Sequence, residues 1–533
     1  MKRRQFIGTL ATSALAIGAQ RLFASNHADA DDFSDTLANN SSPQPSNDQE
    51  VIVPEFFYRP GNAWAADFIP FYKNGKFHLF FLLDWRDRIM HGEGTPWFQV
   101  TTDDFVNFQE LGEMLPRGTK DEQDLYVFTG SVTEGEGKYH IFYTGHNPHF
   151  RAKGKPEQGV MHAVSDDLVK WQKVPEDTFY APSGQFEPHD WRDPFVFRNE
   201  QAGEYWMLLA ARLKNGPSRR RGCTALCASK DLKKWEVRPP FWTPGLYFTH
   251  ECPDLFRIGD WWYLVFSEFT DLVRTRYRMS RSLTGPWIAP KDDYFDARAF
   301  YAAKTAADGQ RRFLFGWDPT RAEKRDYYRW DWGGNLVVHE LKQETDGTLN
   351  VIVPATVDSA WKRPLSVQIA ARLGDVKVTG NQVDISARET FGCADAGSMP
   401  DRCKIEAQVQ FEPGTHGCGV MLRTSDDLET SYYFRLEPQN HRLVFDSWPR
   451  GSGPDHPITS TDGGHMNGLD RWINLDPNVP IDLRVFVDRT IAVAYVAGKV
   501  AMSSRMYDLA SGRWGFFVNQ GSARFQNIKI TEL

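Results

Sequence analysis

The sequence predicts an all-β protein with a five-bladed β-propeller followed by a C-terminal β-sandwich. Three observations lead to this fold class. Short aromatic strands, each preceded by a polar turn that contains glycine, recur from about residue 60 to 355. A second motif, Ser/Thr-x-Asp followed by an apolar and then an aromatic residue, recurs between those strands. After about residue 360 both repeats stop, and alternating strands separated by turns are typical of a sandwich.

The aromatic repeat predicts the number of blades. Each copy has a polar hairpin tip with Gly and then a strand rich in Phe, Tyr, Trp and Leu, spaced roughly 50 to 70 residues from the next. That spacing fits one four-stranded antiparallel blade per copy. The copies occupy residues 71–83, 136–145, 203–212, 259–268 and 309–317.

The second repeat predicts a common turn inside the blades. Its copies lie at 101–111, 165–174 and 229–238. The Asp side chain can accept hydrogen bonds from the backbone that follows it, which forms an Asx-type turn. The aromatic residue then returns to the core.

Four segments are expected along the chain. Residues 1–30 resemble a twin-arginine signal peptide, because Lys2-Arg3-Arg4 precedes a small, apolar stretch. Residues 31–50 are polar and rich in Ser, Asn and Pro, which predicts a disordered linker. The propeller is expected over 51–358 and the sandwich over 359–533. The chain is therefore expected to be exported, to the periplasm or beyond.

Charge and composition narrow the classes of partner. The 533-residue chain has a net charge of -7, which does not predict nucleic-acid binding. The apolar stretch of the signal is too short to span a bilayer, so the mature protein is expected to have no membrane span. The six cysteines are few, and Cys223 and Cys227 have no ligand pair at zinc-finger spacing, so no metal site is predicted. The aromatic share of 14% suits both β-strands and stacking on sugars.

Three acidic residues stand at the beginnings of blades. They are Asp67 in WAADFIPFY, Asp193 in HDWRDPFVF and Glu251 in HECPDLF. Since each precedes an aromatic strand, each should begin an innermost strand and point into the central channel. Carboxylates that meet there repel one another, which raises at least one pKa and provides a general acid. Hydrolysis of a glycoside needs such a pair.

The blocks around these residues resemble glycoside hydrolase family 32, the invertase, inulinase and levanase group. RDP at 192–194 and ECPDL at 251–255 look like two hallmark blocks of that family. Supporting similarities lie at 127–132, 142–147, 300–305, 315–318 and 332–341. The resemblance covers roughly residues 60 to 355, and the trailing sandwich is also similar to the family's architecture.

The resemblance implies roles for particular residues. Asp67 would be the nucleophile, Glu251 the general acid/base and Asp193 the stabiliser of the transition state, with Arg192 holding the carboxylates. The implied mechanism is retaining, with the two main carboxylates about 5 to 5.5 Å apart and no cofactor. The expected substrate is a β-fructofuranoside. Further contacts to the carbohydrate are expected from Trp64, Trp97, Thr129, His250, Tyr301 and Trp317.

Some flanking residues depart from the family pattern. The Asn that normally precedes the nucleophile is Ala66, a pocket Gln is replaced by Leu82, and a Gly-His pair is replaced by Phe98-Gln99. These changes remove polar groups expected near the terminal sugar and alter which sugar fits. His189 and Asp190 flank the site, and Asp254 is interpreted as structural.

Three alternatives remain open at this point. The chain resembles the five-bladed families 43 and 62 in its channel carboxylates, so another furanoside such as an arabinofuranoside is the alternative substrate. An inverting enzyme of that kind would hold its carboxylates roughly 6.5 to 9.5 Å apart. Transglycosylation is a further alternative. A protein of another class, a carbohydrate-binding propeller without catalysis, is consistent with the altered block at Asp67.

Overall fold

Antiparallel strands form most of the chain in this computed structural model, which describes residues 55–449 and 469–533. The expected signal peptide at 1–30 and linker at 31–50 lie outside the described residues. All described residues belong to one unit, Ile52–Leu533. Among them, no helix has the length and apolar character needed to cross a membrane. The all-β fold class predicted from the sequence is confirmed.

Five blades form the propeller, and in each blade the strands run in chain order from the centre outwards. Blade 1 contains β1 (Trp64–Lys73), β2 (Lys76–Asp84), β3 (Trp97–Thr102) and β4 (Gln109–Leu115). Blade 2 contains β5 (Tyr126–Gly135), β6 (Lys138–His146), β7 (Gln158–Ser165) and β8 (Gln172–Lys173). Blade 3 contains β9 (Phe186–Asn199), β10 (Glu204–Leu213), β11 (Gly222–Ser229) and β12 (Glu236–Trp242).

The last two blades complete the ring. Blade 4 contains β13 (Glu251–Ile258), β14 (Trp261–Glu268) and β15 (Arg274–Ser280), with isolated bridges in place of a fourth strand. Blade 5 contains β16 (Tyr301–Ala307), β17 (Arg312–Arg321), β18 (Trp330–Gln343) and β19 (Leu349–Ile352). The described helices are single turns, namely α1 (Arg88–His91), α2 (His149–Ala152) and α3 (Ala355–Ala360). Short 3₁₀ turns lie at Pro175–Asp177, Ser218–Arg220, Ala322–Lys324 and Pro438–Asn440.

The inner strands contact one another around a closed ring, in the order β1, β5, β9, β13, β16 and back to β1. The ring closes where β18 meets β1, through the pairing of Ala65 with Gly334. Gly334 is needed at this point, because a Cβ there would lie 1.8 Å from the backbone oxygen of Asp318. Blades 1 and 5 therefore share one sheet.

The two sequence repeats have distinct structural roles. The five aromatic segments form the second strands β2, β6, β10, β14 and β17. The acidic residues of the other repeat, Asp104, Asp167 and Asp231, each accept hydrogen bonds from the backbone N–H groups two and three residues later, at 2.7–3.0 Å. Each turn thus joins the third and fourth strands of blades 1, 2 and 3 in the same way.

The C-terminal strands form two layers packed over one core. Two long strands, β23 and β32, run through both layers. The first half of β32 pairs with β25 and its second half pairs with β24. The strands are β20 (Arg363–Pro364), β21 (Ala370–Leu373), β22 (Asp375–Thr379), β23 (Gln382–Ser398), β24 (Arg402–Phe411), β25 (Gly417–Thr424), β26 (Ser431–Glu437), β27 (Arg442–Trp448), β28 (Leu469–Trp472), β29 (Ile481–Asp488), β30 (Ile491–Val496), β31 (Val500–Arg505) and β32 (Arg513–Glu532).

The propeller and the sandwich share buried contacts. Phe486 and Val493 of the sandwich belong to the same apolar cluster as the aromatic core of blades 1 and 5. A polar contact lies beside it, where Asp296 accepts from His339 Nε2 at 2.8 Å and from Ser503 Oγ at 2.6 Å. The core is therefore continuous between the two parts.

Candidate active site

The candidate site lies at irregular points of the inner strands, at one mouth of the propeller. Glu251 begins its strand and Asp67 lies near the start of its own, as expected, whereas Asp193 lies in the middle of β9 because that strand begins earlier, at Phe186. Each inner strand has an irregular register with its neighbour at the equivalent point. A β-bulge of this kind leaves a residue unpaired and redirects its side chain. The residues at these points, one per blade, are Asp67, Thr129, Asp193, Cys252 and Ala302. We call them the bulge residues.

Four of the bulge residues have a left-handed backbone. Their φ angles are 50° at Asp67, 58° at Asp193, 50° at Cys252 and 49° at Ala302. This conformation is uncommon for residues other than glycine and is concentrated at functional sites. The same local distortion therefore presents side chains from separate blades to one mouth.

Asp67 is held by two hydrogen-bond donors from other strands. The hydroxyl of Thr129 donates to its Oδ2, and the indole Nε1 of Trp317 donates to its Oδ1 at 3.1 Å. Both donors favour the ionised carboxylate. Thr129 and Trp317 thus each orient one oxygen of the Asp67 carboxylate.

Asp193 forms hydrogen bonds to two other blades, one through its backbone and one through its side chain. Its N–H donates to Thr144 Oγ1 at 2.7 Å, and that hydroxyl donates to the carbonyl of Thr129 at 3.2 Å. Its Oδ2 accepts from the N–H of Cys252 at 3.0 Å. Blades 2, 3 and 4 are thus joined by hydrogen bonds at the mouth.

Glu251 stands one residue before its bulge residue and lies between two polar neighbours. Arg192 Nη2 donates to its Oε1 at 2.9 Å, and the hydroxyl of Tyr301 donates to its Oε2. Arg192 also contacts Asp190 at 2.6 Å and lies 3.9 Å from Asp193. The guanidinium therefore orients Glu251 while it balances the charge of the carboxylates around it.

Burial dominates the electrostatics of the site. It raises the pKa of Asp67 to about 7, against the hydrogen bonds from Thr129 and Trp317, with further raising by the charges of Asp193 and Glu251. It also raises the pKa of Asp193 to about 6, which the positive charge of Arg192 opposes. Burial alone would lower the pKa of Arg192, but the carboxylates of Glu251, Asp190 and Asp193 raise it well above its ordinary value. The mouth thus combines two carboxyl groups of raised pKa with a guanidinium that stays positively charged.

A buried lysine lies close enough to Asp193 to lower the pKa of that carboxyl. Lys304 is 2% exposed and its Nζ donates to the carbonyl of Pro253 at 2.9 Å. Nearby, Asp254 accepts from the N–H of Thr305 at 2.5 Å and from its hydroxyl at 2.7 Å. Asp254 is therefore engaged in joining β13 to β16.

The structure brings four predicted contacts to the carboxylates and leaves three elsewhere. Arg192, Thr129, Tyr301 and Trp317 lie against them, as described above. Trp97 and His250 are fully buried, and they hydrogen-bond to the carbonyls of Val127 and Leu246 at 3.1 Å. In the described structure these two side chains hydrogen-bond to backbone carbonyls and not to the three carboxylates, so their predicted contact to the carbohydrate stays a prediction.

Trp64 is half-buried, with cations over its ring. The guanidinium carbons of Arg59 and Arg86 lie 4.6 and 4.5 Å from the ring centroid. Trp64 thus contacts two arginines of the protein, and its predicted contact to the carbohydrate stays a prediction.

Three of the four positions that depart from the family pattern are buried, and the fourth, Phe98, is partly buried. Ala66 is 0% exposed and Leu82 is 1% exposed, in the packing of blade 1. Gln99 is buried as well, and its Nε2 lies 3.0 Å from Nδ1 of His78. The loss of polar groups that the sequence predicts therefore affects buried positions of blade 1.

Several residues that shape the site were not predicted as such. Gln158 accepts from the backbone N–H of Trp191 at 3.0 Å. Asp190, which the sequence places beside the site, also lies 3.3 Å from Arg212, a contact that the sequence does not predict. Thr144 is the hydroxyl that connects two blades. Its segment, 142–147, resembles the family, and that resemblance is the only sequence signal for its position.

The described residues contain no group of three or more His, Cys, Asp or Glu side chains placed to hold a metal ion. The mouth holds carboxylates together with hydrogen-bond donors that orient them. Such a set can transfer a proton, stabilise a positive centre and form a covalent ester with a sugar.

Comparison with known proteins agrees with this geometry. Residues 58–351 match the glycosyl hydrolases family 32 N-terminal domain, and residues 372–532 match the family 32 C-terminal domain. The insoluble β-fructofuranosidase isoenzyme CWINV5 of Arabidopsis thaliana is 24% identical over 542 residues, covering 90% of this chain and 91% of that protein. The levanbiose-producing levanase of Bacillus subtilis is 28% identical over 500 residues, covering 86% and 87%.

Solved structures share the fold. Fructan 1-exohydrolase IIa of Cichorium intybus has a TM-score of 0.67 at 16% identity, covering 90% of this chain and 97% of that one. Sucrose-6-phosphate hydrolase of Lactobacillus gasseri has a TM-score of 0.65 at 18% identity, covering 95% and 97%. With both domain profiles matched in order across most of its length, this chain belongs to glycosyl hydrolase family 32 and is a glycoside hydrolase.

Proposed function

We propose that the protein hydrolyses β-fructofuranosides, fructans or sucrose-like oligosaccharides, by a retaining mechanism. One observation carries this proposal: Asp67, Asp193 and Glu251 converge at one mouth from three blades, each with its own hydrogen-bond partners. The names of the relatives, a β-fructofuranosidase and a levanase among them, support fructose as the sugar.

Asp67 has the properties of the nucleophile. Two donors orient its oxygens and favour the ionised form that can attack an anomeric carbon. In the first step, an Asp67 oxygen bonds to the anomeric carbon of the fructosyl unit while the glycosidic C–O bond breaks. Glu251 gives its proton to the departing oxygen, so the leaving group departs as a neutral alcohol.

Glu251 has the properties of the acid/base in both steps. In the second step it accepts a proton from water, the water oxygen bonds to the anomeric carbon, and the ester to Asp67 breaks. Arg192 and Tyr301 hold its two oxygens in one orientation through both steps. Burial raises the pKa of Tyr301, with the charge of Glu251 adding to the effect, so the phenol keeps the proton that it donates.

Asp193 is proposed to hold sugar hydroxyls and to stabilise positive charge at the anomeric carbon. Its side chain is buried, and its Oδ2 is fixed by the N–H of Cys252. A fixed carboxylate near an oxocarbenium-like centre stabilises the transition state more than the ground state.

The decisive experiment is sugar release from sucrose, inulin, levan and synthetic arabinofuranosides by the wild type and by Asp67→Asn and Glu251→Gln. We expect fructose release, with kcat lowered about 10²- to 10⁴-fold in Glu251→Gln because the general acid is lost. Asp384→Asn is the matched control, since this exposed carboxylate of the sandwich pairs with Arg524 at 2.6 Å. It should retain wild-type kcat.

The anomer released first tests the stereochemistry. NMR during early turnover should show β-fructofuranose before mutarotation. The α-anomer would refute retention, and arabinose release without fructose release would move the protein to another furanoside. A transfer product that exceeds free fructose at low sugar concentration would replace hydrolysis by transglycosylation. Sugar binding without turnover in the wild type would instead support a carbohydrate-binding protein.

We further propose that the protein is exported through its twin-arginine segment. Lys2-Arg3-Arg4 followed by a small, apolar stretch supports this. Replacing both Arg3 and Arg4 by Lys should retain the protein in the cytoplasm, as measured by fractionation and immunoblotting. Unchanged export of the double variant would contradict the proposal.

A further inference from the structure

A buried arginine of the sandwich reaches into blade 5 behind the candidate site. Arg505 ends β31 and is 7% exposed. Its Nε lies 2.7 Å from Oδ2 of Asp318, and its Nη2 donates to the carbonyl of Asp318 at 2.7 Å. It also donates to the carbonyl of Pro319 at 3.1 Å and to Oδ1 of Asn335 at 2.8 Å. One guanidinium thus holds β17 and β18 together.

The strand that Arg505 holds also carries the donor to the nucleophile. Asp318 follows Trp317 directly in β17, and successive side chains of a strand point to opposite faces. Trp317 therefore points to Asp67, to which its indole donates at 3.1 Å, while Asp318 points to Arg505. The guanidinium of Arg505 thus contacts one face of β17, and Asp67 contacts the other face.

The backbone at this point has little freedom to shift. In β18, Gly334 pairs with Pro319 of β17 and with Ala65 of β1. A Cβ at Gly334 would meet the carbonyl of Asp318 at 1.8 Å, which shows how closely the strands pass. Ala65 lies two residues before Asp67, so a displacement of β17 is transmitted to the bulge that presents the nucleophile.

The ion pair is also needed for the charge of Asp318. Burial raises the pKa of this carboxyl to about 6, and Arg505 is the foremost group that opposes the rise, with Arg321 contributing and Asp296 adding to it. Without Arg505, Asp318 would have to lose its charge or move. Two backbone carbonyls would lose their donor at the same time.

We propose that Arg505 is a positioning residue of the sandwich that holds Trp317 against Asp67 and so aligns the nucleophile. This inference rests on the proposed role of Asp67. The proposal gives the sandwich a role in turnover. Arg505 holds β17 through Asp318, and β17 carries the Trp317 indole that orients one oxygen of Asp67. The substrate-binding groups on blades 3 and 4 are not contacted by Arg505, so the effect is on the chemical step.

The test compares Arg505→Lys and Asp318→Asn with Arg471→Lys. Arg471 is the matched control, because it is also a buried arginine that joins the sandwich to the propeller, at 2.6 Å from Asp292 and 3.0 Å from the carbonyl of Tyr294. It contacts neither β17 nor β1 in the described structure. All three variants are expected to melt at lower temperature than the wild type.

Steady-state kinetics should distinguish Arg505→Lys and Asp318→Asn from the control Arg471→Lys. Arg505→Lys and Asp318→Asn should lower kcat about tenfold or more with KM changed by less than about threefold, as expected when a hydrogen bond to a charged group is weakened. Their acid limb of kcat/KM should move to higher pH, because Asp67 loses a donor that favours its ionised form. Arg471→Lys should keep the wild-type kcat and pH profile. Equal kinetics in Arg505→Lys and Arg471→Lys would overturn the inference.

Crystal structures of Arg505→Lys and Arg471→Lys supply a readout that needs no turnover. The distance from Trp317 Nε1 to Asp67 Oδ1, 3.1 Å here, should lengthen only in Arg505→Lys. An unchanged distance in that variant would refute the positioning role. Lengthening combined with a wild type that releases no fructose would refute the proposed function alone.

Discussion

At the scale of single residues, Asp67 combines two opposing influences. Burial raises its pKa to about 7, whereas the donors Thr129 and Trp317 favour the ionised carboxylate. An exposed aspartate would be fully ionised at neutral pH but would also be solvated by water, which weakens it as a nucleophile. The site thus keeps a partly desolvated carboxylate and limits the cost with two fixed donors.

The pKa of Asp67 predicts the acid limb of the pH profile. Because a nucleophile must be ionised, kcat/KM should fall as pH drops below about 7, approaching tenfold per pH unit. Thr129→Val removes one donor to the ionised form and should move this limb to higher pH. Measurement of kcat/KM between pH 4 and 9 checks both statements, and an identical limb in Thr129→Val would contradict them.

The same shift predicts a gain in stability when the charge is removed. A carboxyl whose pKa is raised in the folded protein binds its proton more tightly there, so stability is lost as pH rises from the ordinary value near 3.8 to about 7. Asp67→Asn should therefore melt at a higher temperature than the wild type at pH 8, and the difference should shrink at pH 5. A lower melting temperature at pH 8 would refute this.

At the scale of strands and turns, the aromatic strands and the repeated Asp turns could be predicted from the sequence, whereas the β-bulges could not. The aromatic strands can be recognised in the sequence because each follows a polar hairpin tip and is rich in large apolar side chains. The bulges have no such signature, because the five bulge residues comprise two aspartates, a threonine, a cysteine and an alanine and so have no residue type common to all. Trp97 and His250 stand in motifs that resemble the family, yet their side chains pack inwards, and sequence order does not reveal that direction.

The repeated turn of blades 1 to 3 permits an element-scale prediction. Asp104 accepts backbone hydrogen bonds at 2.9 and 2.7 Å, and Phe105 follows it with a φ of 62°. Asp104→Ala should lower the free energy of unfolding by about 1 kcal/mol for the lost hydrogen bonds. Urea titration checks this value, while kcat should not change because the turn lies at the rim of the propeller. A change in kcat would contradict that separation.

At the scale of the whole molecule, the propeller and the sandwich share one continuous core. Asp296 of the propeller accepts from Ser503 of the sandwich and from His339, all of them buried. Burial alone would raise the pKa of Asp296, but the hydrogen bond from His339 and those from Ser503 lower it. Contacts between residues so far apart in sequence have no local pattern, so neither this network nor Arg505 could be predicted from the sequence.

Loss of this carboxylate should unfold both parts together. Asp296→Ala is expected to lower the free energy of unfolding by about 3 to 5 kcal/mol, since it leaves buried partners unpaired. A lowered pKa means that this contribution is present above the ordinary value near 3.8 and is lost as pH falls through the folded value. Calorimetry should show one transition at lower temperature, whereas two separate transitions would refute the shared core. Asp384→Ala, at an exposed pair, should cost no more than about 1 kcal/mol.

Closure of the ring makes the candidate site depend on parts of the chain that are far apart in the sequence. The strand that carries Asp67 is paired with β18 through Gly334, and Arg505 of the sandwich holds the neighbouring β17. A fragment that stops before Gly334 therefore contains Asp67, Asp193 and Glu251 but lacks the strand that closes the ring around them. Such a fragment is expected to regain the closed ring only when the missing segment is supplied as a second chain.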